Sequence, residues 1–93
     1  MAELARDDFS VSNSIATFVV RVGSILEQED VCFRLAESGM IYRVNFVEAE
    51  KQGIFLELHG YGSIYVGVEQ IEADSFFFGD SPERGIIPDW MVV

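Results

Sequence analysis

Between Val31 and Ile71, large apolar residues alternate with polar ones, and only short glycine-bearing turns break the alternation: Ser38-Gly39, Lys51-Gln52-Gly53 and Gly60-Tyr61-Gly62. A period of two marks a strand with one buried face, and segments joined by so few residues must fold back on their neighbours. The pattern therefore predicts an antiparallel four-stranded meander with strands at 31–37, 40–50, 54–59 and 63–71. Ser38-Gly39 suits a two-residue hairpin. The other two turns place glycine third, where a three-residue loop takes up a left-handed conformation. These lengths set Leu35 opposite Tyr42, Phe33 opposite Val44, Phe46 opposite Leu58 and Leu56 opposite Val66. In that register Val31, Phe33, Leu35, Tyr42, Val44, Phe46, Ile54, Leu56, Leu58, Ile64, Val66 and Val68 share one face.

A sheet with one apolar face needs a second layer to cover it. In 12–28, polar Ser14, Thr17, Arg21, Ser24 and Gln28 recur at spacings of three and four, which leaves Ile15, Phe18, Val19, Val22, Ile25 and Leu26 as the apolar stripe of a helix. Gly23 and the β-branched residues count against a helix. If the segment is a strand instead, the domain becomes a small all-β sandwich or barrel. The expected class is α+β: an N-terminal helix on the meander, a fifth short strand at 76–78, and an extended tail over 79–93 marked by Pro82 and Pro88. The 93 residues leave room for a single domain, 1–93, and no second core.

Acidic residues outnumber basic ones by 16 to 6, for a formal charge of -10. Such a surface repels nucleic acid and anionic membranes, so neither is expected as a direct partner, and a basic protein is the natural counterpart. The same charge also keeps an apolar-rich small protein soluble. The lone Cys32 has no partner for an internal disulfide, and MAELARDDFS lacks the basic and apolar regions of a signal peptide. With no apolar run near the ~20 residues of a membrane span, the expected location is cytoplasmic.

On the opposite sheet face the same registers lay out rows: Cys32, Asn45, His59 and Ser63; Arg34, Arg43 and Tyr61; Val47, Glu57 and Tyr65. Cys32 and His59 then sit two strands apart, roughly 10 Å at Cα, too far for a ready thiolate-imidazole pair. One His and one Cys do not make a structural zinc site. No calcium loop, phosphate loop or strand-turn nucleophile motif occurs. No catalytic residue, metal or cofactor is expected. This face also carries Ile41 and Phe55 beside Arg34, Arg43, Glu57 and His59, so either the C-terminal segment or another protein covers it. Phe55 is expected to lie opposite Gly67 and cover it. The apolar terminus, Trp90 to Val93, packs onto the domain or docks into a partner.

The candidate partner-binding residues are the carboxylates Glu48, Glu50, Glu57, Glu69 and Glu72 and the aromatics Phe55, Tyr61, Tyr65 and Trp90. Together they suggest a small acidic inhibitor or immunity-type protein acting on a basic, nucleic-acid-handling protein. Carboxylates would occupy a site built for phosphates, and aromatic anchors would set the residence time. In size, acidity and lack of catalytic residues the chain resembles toxin-immunity proteins and phage-encoded inhibitors of bacterial defence, a likeness of type that covers no motif. The alternative is a structural or assembly subunit that oligomerises, for instance as a homodimer, through the sheet face and tail.

Overall fold

A computed structural model describes residues 2–91, with side chains from residue 11 onward. The first element, α1, runs Ala2–Leu26. It begins ten residues before the expected start at 12, because AELAR is made of good helix formers and 2–11 holds neither glycine nor proline to stop it. Its last turn is tightened by Gln28 and Glu29 N–H groups donating to the Ile25 carbonyl at 2.9 and 2.8 Å. Ile15, Phe18 and Val22 are fully buried, with Val11, Val19, Ile25 and Leu26 at the border of the core. The stripe at spacings of three and four thus outweighs the β-branched content, and the all-β alternative is excluded. Among the described residues no helix is long and apolar enough to cross a membrane.

Six antiparallel strands follow: β1 Val31–Arg34, β2 Ile41–Glu50, β3 Gly53–Leu58, β4 Gly62–Gly67, β5 Phe76–Phe78 and β6 Ser81–Gly85, in the order β4-β3-β2-β1-β5-β6. β1 and β4 are shorter than 31–37 and 63–71, since the chain turns at Leu35 and enters a 3-10 turn at Val68–Gln70. From there it crosses to the other side of the meander and lays β5 on β1, with Phe33 opposite Phe76 and Cys32 opposite Phe77. The tail over 79–93 is not simply extended: β6 pairs with β5, and Asp89–Met91 forms a 3-10 turn. Val92 and Val93 lie outside the described residues.

Each hairpin differs from its expected register. The first closes through a four-residue loop, with the Leu35 N–H donating to the Met40 carbonyl at 2.8 Å and Gly39 at φ 74°. Phe33 therefore faces Tyr42, not Val44. The third hairpin pairs Leu56 with Ile64, not Val66. Both shifts are by two residues, which leaves every side chain on its expected face. The second hairpin shifts by one. Gly53 has no positive φ and belongs to β3, so Lys51 and Gln52 alone make the turn, and Phe46 faces Glu57 instead of Leu58. A bulge between Val44 and Phe46 absorbs the extra residue and keeps Val44 buried opposite Leu58. Phe46 consequently leaves the core face and Val47, opposite Leu56, joins it.

The core centres on Phe18, whose ring meets Phe76 at 5.2 Å and Trp90 at 5.5 Å, both edge to face. Arg21 ties down the tail by donating from Nη1 to Asp89 Oδ1 at 2.7 Å and from Nη2 to the Ile87 carbonyl at 2.9 Å. Ile86 and Pro88 are buried alongside. The tail thus packs with the helix and leaves the other face of β2, β3 and β4 uncovered by any described residue.

Candidate partner-binding face

Strand pairing arranges the uncovered face in three consecutive rows. Glu50, Gly53 and Gly67 form one, Glu48, Phe55 and Tyr65 the next, and Phe46, Glu57 and Ser63 the third. Carboxylates and aromatics therefore alternate over a patch of roughly 10 by 14 Å, given the strand and residue spacings of a sheet. Phe46 is 47% exposed and Tyr65 54%, with Ile41 at 45% further along β2, while Phe55 is half-buried. Tyr65 leans over Gly53, where a Cβ would come within 2.6 Å of its hydroxyl oxygen and collide with the Val66 carbonyl. The expected cover of Gly67 by Phe55 is not formed: Phe55 faces Tyr65, and Gly67 faces Gly53.

Three basic side chains are committed elsewhere, while the exposed Arg43 of β2 and Lys51 of the β2–β3 turn form no ion pair among the described residues. Arg21 pairs with Asp89, Arg34 approaches Asp74 at 4.0 Å, and Arg84 approaches Glu29 at 3.9 Å. Arg34 and Arg84 also lie over the rings of Phe77 and Phe78. Among the described residues no cation pairs with Glu48, Glu50, Glu57, Glu69 or Glu72. These carboxylates are therefore left unpaired, with Arg43 further along β2 and Lys51 in the turn as the cations nearest Glu48, Glu50 and Glu57 in sequence, and a cationic surface would complement them.

The sequence-derived set divides by position. Glu48, Glu50, Phe55, Glu57 and Tyr65 share the outer face, and Glu69 and Glu72 follow β4 on the side of the Glu50 row. Tyr61 stands apart in the β3–β4 turn, its ring 4.9 Å from Tyr42 on the helix side of the sheet. Trp90 is also on that side, packed on Phe18. Phe46 was missed by sequence reasoning, and the available signal was the Lys51-Gln52 turn, which works as a two-residue hairpin and moves β2 by one position.

Cys32 and His59 are separated by β2: Cys32 pairs with Arg43, whose carbonyl accepts the His59 N–H at 2.8 Å. Burial first, then the Asp30 carboxylate, push the Cys32 thiol up, with the Arg43 guanidinium opposing them. A nucleophilic cysteine needs the opposite shift. Among the described residues no three His, Cys, Asp or Glu side chains gather as a metal site would require. Compared with protein families, with curated proteins and with solved structures, the chain matches none.

Proposed function

We propose that the chain is a non-catalytic acidic binding protein of the inhibitor or immunity type, working in the cytoplasm, that docks the outer face of β2, β3 and β4 on a basic, nucleic-acid-handling protein. The observation that carries this reading is the interleaving of Glu48 and Glu57 with Phe46, Phe55 and Tyr65, carboxylates that form no ion pair among the described residues. Carboxylates in such a patch attract a phosphate-binding surface at long range, and the aromatic side chains between them exclude water once contact is made.

The test is capture from a host extract on the immobilised chain, followed by association and dissociation rates with the captured protein. A basic protein should bind at low salt and bind more slowly as salt rises, because surface charges are screened beyond ~8 Å at physiological ionic strength. E48Q with E50Q, or E69Q with E72Q, should slow association. Phe46→Ala or Tyr65→Ala should hasten dissociation, by about 2 kcal/mol for a buried anchor. Salt-insensitive binding that survives all these changes removes the face from the mechanism.

The exposure of Ile41, Phe46 and Tyr65 also favours a second reading, self-assembly through this face. In that case Phe46→Ala lowers the mass measured by light scattering, and added salt strengthens the assembly by screening like charges.

A further inference from the structure

The two edges of the sheet are built differently. β6 carries Pro82, Glu83 and Arg84, and its pairing with β5 is irregular between Phe77 and Phe78. Proline, charge and bulges are the devices that stop an edge from recruiting another strand. β4, GSIYVG, has none of them: it is uncharged, free of proline, and in unbroken register with β3 from Leu58–Gly62 to Gly53–Gly67.

Hydrogen-bond alternation shows which backbone groups this edge presents. The Val68 N–H donates to the Gln52 carbonyl at 2.8 Å. Bonded pairs recur every second residue in an antiparallel ladder, so Val66, Ile64 and Gly62 turn toward β3, and Ser63, Tyr65 and Gly67 turn outward. Gln70 Oε1 accepts the outward Gly67 N–H at 2.9 Å. Among the described residues no strand takes the outward groups of Ser63 and Tyr65.

Beside the same edge, on the helix side of the sheet, lies an open groove of about 350 Å³. Ile64 and Val66 of β4 form one wall, Phe33, Leu35, Tyr42 and Tyr61 add apolar surface, and Ser38 and Gln70 contribute polar atoms. Glu37 is the one carboxylate on its rim, and none of the helix side chains from residue 11 onward reaches it.

We propose that β4 is a strand-addition site for an extended segment of the partner. The backbone of that segment pairs with Ser63 and Tyr65, and every second side chain enters the groove beside Ile64 and Val66. The part of the groove beside Ile64, Val66, Phe33 and Leu35 favours an apolar side chain. The intervening ones fall on the outer face, on the side of Tyr65, Glu48 and Glu57, where lysine or arginine is favoured. The charge of the segment rests on the function proposed above, whereas the edge itself does not. A second copy of the chain would bring two bodies of formal charge -10 together at this edge, which disfavours self-pairing.

The test is amide exchange by NMR on the full chain, with a short peptide alternating valine and lysine as probe and its valine-glutamate counterpart as comparison. In the free protein, Ser63 and Tyr65 amides should exchange fast beside slow Ile64 and Val66. The lysine peptide should slow Ser63 and Tyr65 by about tenfold or more, and the glutamate peptide should not. Protection by both peptides alike supports the edge and removes the cationic segment. Exchange unmoved by either overturns the proposal, as does protection that rises with protein concentration alone, which assigns the edge to a second copy. Ser63→Pro removes an outward donor without touching the β3 ladder, and should weaken peptide binding while Ile64 and Val66 stay protected. Gln70→Ala, which frees the Gly67 N–H, should tighten peptide binding several-fold. Unchanged affinity in both variants overturns the pairing.

Discussion

Cys32 shows how neighbours decide what a reactive residue type can do. Its thiol is pushed up by burial and by Asp30, so at neutral pH it should alkylate more slowly than the same cysteine in the unfolded chain, and Arg43→Ala should slow it further by removing the opposing charge. The stability consequence follows in sign. Below the ordinary thiol range both states hold the proton and Cys32 contributes nothing; above it the unfolded chain ionises first, and the folded state loses stability as pH rises. Cys32→Ser should remove that alkaline loss in denaturation curves measured across pH, and neither it nor His59→Gln should reduce partner binding. Phe18 stands at the other extreme. Because its ring joins the helix to Phe76 and Trp90, Phe18→Ala should cost about 3–5 kcal/mol in chemical denaturation.

At the level of elements, the bulge in β2 reconciles two hairpins whose turns would otherwise disagree. It holds Val44 inward while the tight Lys51-Gln52 turn sends Val47 inward and Phe46 outward. Deleting Asn45 removes the extra residue and joins the Val44–Leu58 pair directly to Phe46–Glu57, so Val44 stays inward, Phe46 outward and Val47 inward on a regular ladder. The deletion should therefore be tolerated, with little change in the denaturation midpoint, whereas deleting Phe46 instead would leave Asn45 in its outward place and remove the exposed ring from the patch. Gly53 marks the neighbouring constraint. A methyl there meets the Val66 carbonyl, which is backbone and cannot swing aside, and also meets the Tyr65 ring. Gly53→Ala should therefore destabilise by about 2 kcal/mol. Gly53→Ala with Tyr65→Ala should recover little, since the backbone contact remains.

On the scale of the whole molecule, charge and packing are opposed. A formal charge of -10 on 93 residues repels itself, so added salt should raise the melting temperature while it slows association with a basic partner. Finding both trends fall together with salt would mean that internal ion pairs such as Arg21–Asp89 outweigh the general repulsion. The tail is part of the same balance. Truncation after Gly85 removes Ile86, Pro88 and Trp90 from the core and frees Arg21, and the shortened chain should lose cooperative thermal unfolding.

What was legible in the sequence was whatever depends on local periodicity. Alternation placed Phe33, Val44, Leu56 and Ile64 on one face, and it survived two wrong registers because a shift of two residues leaves each face intact. The helical stripe of Ile15, Phe18 and Val22 was legible for the same reason. The tertiary structure decided whatever needs contacts distant in sequence. Nothing local indicates that Phe76 crosses the sheet to pair with Phe33, that Trp90 closes over Phe18, or that Asn45 is the residue left over when two hairpins share a strand. For the candidate site, Phe55, Glu57 and Tyr65 were readable as an outer face, whereas Glu48 reaches it only through the one-residue shift of the second hairpin. Their partner Phe46 and the open edge of β4 were not, because register is set by turn geometry and edge position by strand order, and neither is a property of the residues that carry it.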